Sequence, residues 1–208
     1  MIRRMLLTSA AVLVMLSLNT AAKADSFTYQ GINTGVTGTV NITQLSNNML
    51  TITVMNTSTG ATTGKLTSIG FDLPGTNTGN YNLQSTTNNN YTLATQVSGN
   101  ASGINRTFEF ALLTGPNFNG GGNPNQGILA GGSATFSITG NFTGMTQAQI
   151  ASGIFLRFQD VNAGGGSDVA QMNGGPKPVP EPTTMLLLGT GLAGVAAKIR
   201  RKRKTEDN

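Results

Sequence analysis

Ser133-Ala134-Thr135-Phe136-Ser137-Ile138-Thr139 alternates without a break: Ala134, Phe136 and Ile138 fall on one side, hydroxyl residues on the other. A period of two marks a strand with one face buried and one in water. Elsewhere Val36, Val40 and Ile42 oppose Thr37, Thr39, Asn41 and Thr43, and Leu50, Ile52 and Val54 alternate with Thr51 and Thr53. Phe108, Phe110 and Leu112 alternate with Glu109 and Ala111, and Ile154, Leu156 and Phe158 with Phe155 and Arg157. Weaker versions occupy residues 27–29, 66–73 and 91–97. Clusters of Asn, Gly and Pro lie between them, as turns require. About eight strands with one inward face each predict an all-β fold, an antiparallel β-sandwich over residues 25–173. Threonine suits the solvated face without needing charge. A β-solenoid is less economical, because no fixed repeat period is present.

Between these strands the spacing Thr146-Gln147-Ala148-Gln149 fits a capping box, and Gly153 can end the short helix that it opens. Two long loops are expected, 115–132 and 160–175. Loops on a rigid scaffold are where binding usually resides.

The chain has 208 residues, with no Cys, His or Trp. A disulfide framework and a Cys-based metal site are therefore excluded. A Ser/His nucleophilic pair is excluded too, since nothing takes the serine proton. Between Asp25 and Pro178 there are four cations (Lys65, Arg106, Arg157, Lys177) and five acids (Asp25, Asp72, Glu109, Asp160, Asp168). This near-neutral body lacks the clustered Lys and Arg of a nucleic-acid surface. Glu109 has no identifiable carboxylate partner for glycosidase chemistry. Asp160, Asn162, Ser167 and Asp168 could offer oxygens to Ca²⁺, but they match no strict loop pattern and read as solvated acids. No enzyme and no cofactor are expected.

The remaining cations sit at the ends. Arg3 and Arg4 precede an apolar run from Met5 to Leu18, and Ala22-Lys23-Ala24 places small residues at a cleavage site. Residues 1–24 therefore read as a secretory signal peptide. At the other end, residues 174–182 form a Gly/Pro linker. Residues 183–199 are almost wholly apolar and read as one transmembrane helix. The stretch 183–197 spans roughly 22 Å at about 1.5 Å per residue, so flanking residues or a thinner bilayer must help. Lys198, Arg200, Arg201, Lys202, Arg203 and Lys204 then act as a cytoplasmic stop-transfer cluster, with 200–208 as a basic tail. The literal G-x-G-x-x-G at Gly189–Gly194 lacks the strand before it and the acid about twenty residues on that a dinucleotide site requires.

Val179-Pro180-Glu181-Pro182, the apolar run and the Arg/Lys cluster together resemble the PEP-CTERM sorting signal of exported bacterial proteins. The resemblance implies an exosortase-type membrane enzyme that cleaves near Pro180-Glu181-Pro182. It also implies anchoring in the inner membrane before processing, with delivery to the cell surface or medium afterwards among exopolysaccharide and biofilm. Residues 142–150 and 153–161 also resemble stretches recurring in proteins with this tail, which supports the sandwich.

On this reading the body is a non-catalytic structural or adhesive domain. A carbohydrate-binding module is the alternative, with Tyr81, Tyr91, Phe118 and Phe155 as candidate exposed aromatics. Ice binding is a further one, but the short Thr rows at Thr37, Thr39, Thr43, Thr51 and Thr53 read as ordinary strand threonine. Asn41, Asn56, Asn90, Asn100, Asn105 and Asn141 begin N-x-Ser/Thr triplets, where surface glycosylation is chemically open.

Overall fold

A computed structural model describes residues 25–75, 79–120, 123–162 and 166–174, together with the backbone of Lys177–Pro178. The strands are β1 (Asp25–Gly31), β2 (Thr37–Leu45), β3 (Met49–Asn56), β4 (Lys65–Phe71), β5 (Asn82–Thr86), β6 (Thr92–Ala101), β7 (Ile104–Leu113), β8 (Ser133–Thr139), β9 (Ile154–Val161), β10 (Gly166–Met172) and β11 (Lys177–Pro178). One helix, α1 (Gln147–Ser152), lies between β8 and β9. The Thr146 hydroxyl accepts from the Gln149 N–H and the Gln149 side chain accepts from the Thr146 N–H, so the expected capping box is formed. Gly153 closes the helix. A Cβ there would overlap the Asp72 carbonyl oxygen, and the Gly153 carbonyl accepts from the Asp72 N–H at 2.8 Å.

The fold is all-β, but the expected two-sheet sandwich gives way to one sheet. Its order is β5-β8-β3-β2-β1-β10-β9-β4-β7-β6, every pair antiparallel, with β11 beside β1. Alternation assigns each strand one inward face and is silent on whether the strands make two sheets or one that rolls up. Register shifts at Ile42/Gln44, Leu66/Ser68, Leu83/Ser85 and Gly166/Ser167 supply bends, since a bulge kinks its strand and increases twist. The two ends of the sheet meet through side chains. Tyr81, just before β5, packs on Phe110 of β7 at 4.4 Å, and Tyr91, just before β6, packs on Phe136 of β8 at 5.2 Å. The result is nearly a barrel, open between β5 and β6.

Its interior is one cluster drawn from most of the strands, including Phe27, Val40, Ile52, Phe71, Phe110, Phe136, Ile154 and Phe158. A second cluster of Val97, Ile104, Phe108, Ala111, Leu113, Phe118, Phe155 and Val169 covers part of the outer face. The reading of β7 as a single alternating face is corrected here. Phe110 and Leu112 point inward, whereas Phe108 belongs to the outer cluster. The β6–β7 ladder has no pair at Gln96 and Glu109, and Gln96 has φ +52°. This irregularity separates residues serving the inner core from those serving the outer cluster. The Phe108 ring then lies over Gly70 and Gly99, where a Cβ would overlap it.

Three strands escape the periodicity reading. β5 has little apolar content. β10 lies within the expected loop 160–175, and β11 falls in the expected linker. The loop 115–132 is a loop as expected, but a packed one: Phe118 and Ile128 are buried, and Ile128 exchanges backbone hydrogen bonds with Leu66. The expected signal peptide 1–24, the segment 179–182, the expected transmembrane span 183–199 and the basic tail lie outside the described residues. Among the described residues no helix is long and apolar enough to cross a membrane.

Candidate functional site

The outer cluster ends at an unusual residue. Arg157 stands on β9, opposite Val169 of β10 on one side and Ser68 of β4 on the other. Phe155, two residues earlier on the same strand, is in the outer cluster, so Arg157 also faces outward beneath the 115–132 loop. It is only 4% exposed. Its Nη2 donates to Ser167 Oγ at 3.3 Å, while Nε and Nη1 are buried with no hydrogen-bond partner among the described residues. Burial pulls the guanidinium pKa down, and the charge of Asp168 opposes that shift.

Arg157 lines a cleft of about 390 Å³ with Lys65, Pro124, Asn125, Gln159, Asp160, Gly166 and Ser167. β4 brings Lys65, β9 brings Gln159 and Asp160, and the turn Pro124–Gln126 brings Asn125. The Lys65 ammonium is neutralised within the wall: Nζ lies 2.8 Å from Asp160 Oδ2 and donates to Asn125 Oδ1 at 3.0 Å. A second cleft of about 280 Å³ includes Asp72, Arg106, Gln149 and Phe155. Both of its charges are satisfied, because Arg106 pairs with Asp72 and lies 5.3 Å over the Phe155 ring.

The structure commits the two carboxylates considered for Ca²⁺ to separate partners. Asp160 pairs with Lys65. Asp168 is fully buried and accepts from the N–H groups of Asn33 (3.0 Å), Thr34 (2.7 Å) and Val169 (2.8 Å), the Thr34 hydroxyl (2.8 Å) and the Asn33 amide (3.3 Å). Burial alone would raise its pKa, but these donors outweigh it and hold the carboxyl below its usual range. Among the described residues no three His, Cys, Asp or Glu side chains gather where a metal ion could sit. Glu109 has a partner that pattern reading missed: it accepts the Leu73 N–H at 2.6 Å.

The four aromatics considered as a sugar-stacking platform are all interior. Tyr81, Tyr91, Phe118 and Phe155 are between 0% and 5% exposed. Burial, then the charge of Glu109, pushes the Tyr81 phenol up to about 12. On the outer face, hydroxyls do align across strands: Thr53 bonds Thr135 at 2.9 Å and Thr51 bonds Ser137 at 3.1 Å. These groups spend hydrogen-bonding capacity on each other, as cross-strand threonines commonly do. Arg157 was visible in the sequence as one of four body cations, but period-two counting placed it merely on an outer face. Its burial depends on the loop that folds over it.

Together these features define an all-β, barrel-like domain with a buried cation under a polar cleft. Beyond it, residues 178–202 match the PEP-CTERM protein-sorting motif. The chain therefore carries a PEP-CTERM sorting signal, which supports export, membrane association during sorting and processing by an exosortase. No curated protein matches the chain. Among solved structures, the unique CBM3 of Hungateiclostridium clariflavum is similar at 14% identity, covering 77% of this chain and 100% of its own, with a TM-score of 0.27. That likeness defines no shared fold.

Proposed function

We propose that this chain is an exported, non-catalytic surface or extracellular-matrix protein. Its β domain is delivered outside the cytoplasm and released or lodged there, among exopolysaccharide, once the tail has been processed. The observation that carries this reading is the sorting motif over residues 178–202. The body agrees with it: no His or Cys is present, and four of its five acids are committed to structural hydrogen bonds and ion pairs. Residues 1–24 serve as the export signal, cleaved after Ala24. Glu181 is the residue on which processing is expected to turn, because it is the one acid in the linker 174–182 and stands at the centre of Pro180-Glu181-Pro182.

Intact mass spectrometry of the protein made in its own host tests this, beside Glu181→Ala. The expected wild-type mass lacks residues 1–24 and everything beyond the Pro180-Glu181-Pro182 segment, and the variant stays unprocessed in the membrane fraction. A wild-type mass that retains 183–208 would overturn processing and make the tail a lasting anchor.

A further inference from the structure

A guanidinium placed out of water with two nitrogens unbonded is expensive. Buried charges are ordinarily paired or fully hydrogen-bonded. Arg157 is 4% exposed, and the hydrogen bond its guanidinium makes among the described residues goes to a neutral hydroxyl, Ser167 Oγ. No near acid is bonded to it, although the Asp168 charge acts on it through space. Asp168 is saturated by five donors from Asn33, Thr34 and Val169. Asp160 is taken by Lys65 at 2.8 Å. Meanwhile Arg157 borders a cleft of about 390 Å³, large enough for one small polar group and its neighbours.

We propose that the Arg157 cleft binds the carboxylate of a singly charged ligand, with the guanidinium as its principal partner. A carboxylate's single charge suits the cleft. Lys65 pairs with Asp160, and the Asp168 charge acts on Arg157 from outside the cleft lining, so Arg157 is the cation of the wall with no direct ion pair. A phosphate dianion would bring a second negative charge towards Asp160 and Asp168. The planar fork of Arg matches a carboxylate with two parallel N–H···O bonds. Asn125, Gln159 and Ser167 can donate to or accept from the groups that flank it. Nε and Nη1 are covered, so full engagement requires the Pro124–Asn125 side of the cleft to yield slightly. Two sources present this chemistry: a free small carboxylate, and a uronic acid unit of an acidic polysaccharide. The site stands on its own geometry and does not depend on how the tail is processed.

The test is thermal unfolding of the protein isolated from its host, titrated at constant ionic strength with sodium acetate, oligogalacturonate, sodium sulfate or sodium chloride. A ligand that binds only the folded state raises Tm with its concentration. At ten times Kd the rise expected with a carboxylate is about 4 °C for a domain of this size, with chloride as the baseline. Arg157→Gln removes the rise, and Ser167→Ala weakens binding while leaving the fold intact. A larger response to oligogalacturonate than to acetate assigns the site to an acidic glycan, and an equal one assigns it to small free carboxylates. No rise in the wild-type protein overturns the proposal whether or not Arg157→Gln folds. So does a rise that survives in Arg157→Gln, or one that sulfate produces equally well.

Discussion

Asp168 shows how one residue's chemistry can be misread from its neighbours in sequence. Next to Asp160, Asn162 and Ser167 it suggested a cation site, and it instead organises the β1–β2 turn from the neighbouring strand β10. Its Oδ2 alone accepts from Asn33 N, Thr34 N and Thr34 Oγ1. Such bonds to a carboxylate are worth more than neutral ones, so Asp168→Asn, which sets an amide donor among donors, costs about 2–3 kcal/mol. The pH dependence has a definite sign. The folded pKa is depressed below the unfolded value of about 3.9. The stabilisation is therefore complete above that value and is lost as pH falls through the lower, folded one. Unfolding scans from pH 7 to pH 2 should show a steep acid-side fall in wild-type Tm and a shallower one in Asp168→Asn. Parallel curves would mean that Asp168 titrates alike in both states. Arg157 was equally hard to read, because burial and the absence of a partner are properties of surroundings assembled from β4, β9, β10 and a loop.

At the scale of elements, strands with one apolar and one polar face were the easiest to read, and β10, covered on both faces, was missed. β8 and β3 alternate cleanly, and they pair from Met49↔Thr139 to Met55↔Ser133 with inner Ile52 opposite Phe136. In β10 the adjacent residues Val169 and Ala170 are both buried, one under the outer cluster and one in the barrel. That erases the period-two signal. The outer cluster also turns the 115–132 segment from an apparent tether into a packed element. Phe118 is fully buried, with its ring 4.7 Å from that of Phe108. Phe118→Ala should therefore cost about 3–5 kcal/mol, a core-sized penalty. The drop in Tm, read by calorimetry, is about 2–4 °C for each kcal/mol. Hydrogen exchange should quicken across 115–132 and β7 and stay unchanged in β1–β3. A loss below about 1 kcal/mol would return this segment to an ordinary surface loop.

The whole molecule turns on a seam that no local pattern announces. Eight of the eleven strands carried a signal in the sequence, yet their assembly into one rolled sheet depends on the β1–β10 pairing and on the contact between the two ends. β1 is bonded to β2 along one edge and to β10 along the other, which joins halves that a sandwich would keep apart. The ends meet without a ladder, through Tyr81 on Phe110 and Tyr91 on Phe136. Tyr91 also donates its hydroxyl to the Leu66 carbonyl, a contact that reaches from the seam to β4. Burial drives the Tyr91 phenol upward in pKa, partly offset by a hydrogen bond from the Ile128 backbone. Aromatic truncation here removes both packing and closure, so Tyr91→Ala should cost about 3–5 kcal/mol. Tyr91→Phe, which keeps the ring, should cost about 1 kcal/mol. The discriminating measurement is residue-resolved hydrogen exchange of the variants. In a rolled sheet held shut by its seam, Tyr91→Ala speeds exchange first in the edge strands β5 and β6, while amides of β1, β2 and β10 stay protected to the global limit. Uniform loss of protection across all strands would show that the seam and the sheet open as one unit. Early loss in β1 and β10 would instead put the weak joint at the middle of the sheet, where two sandwich halves would part.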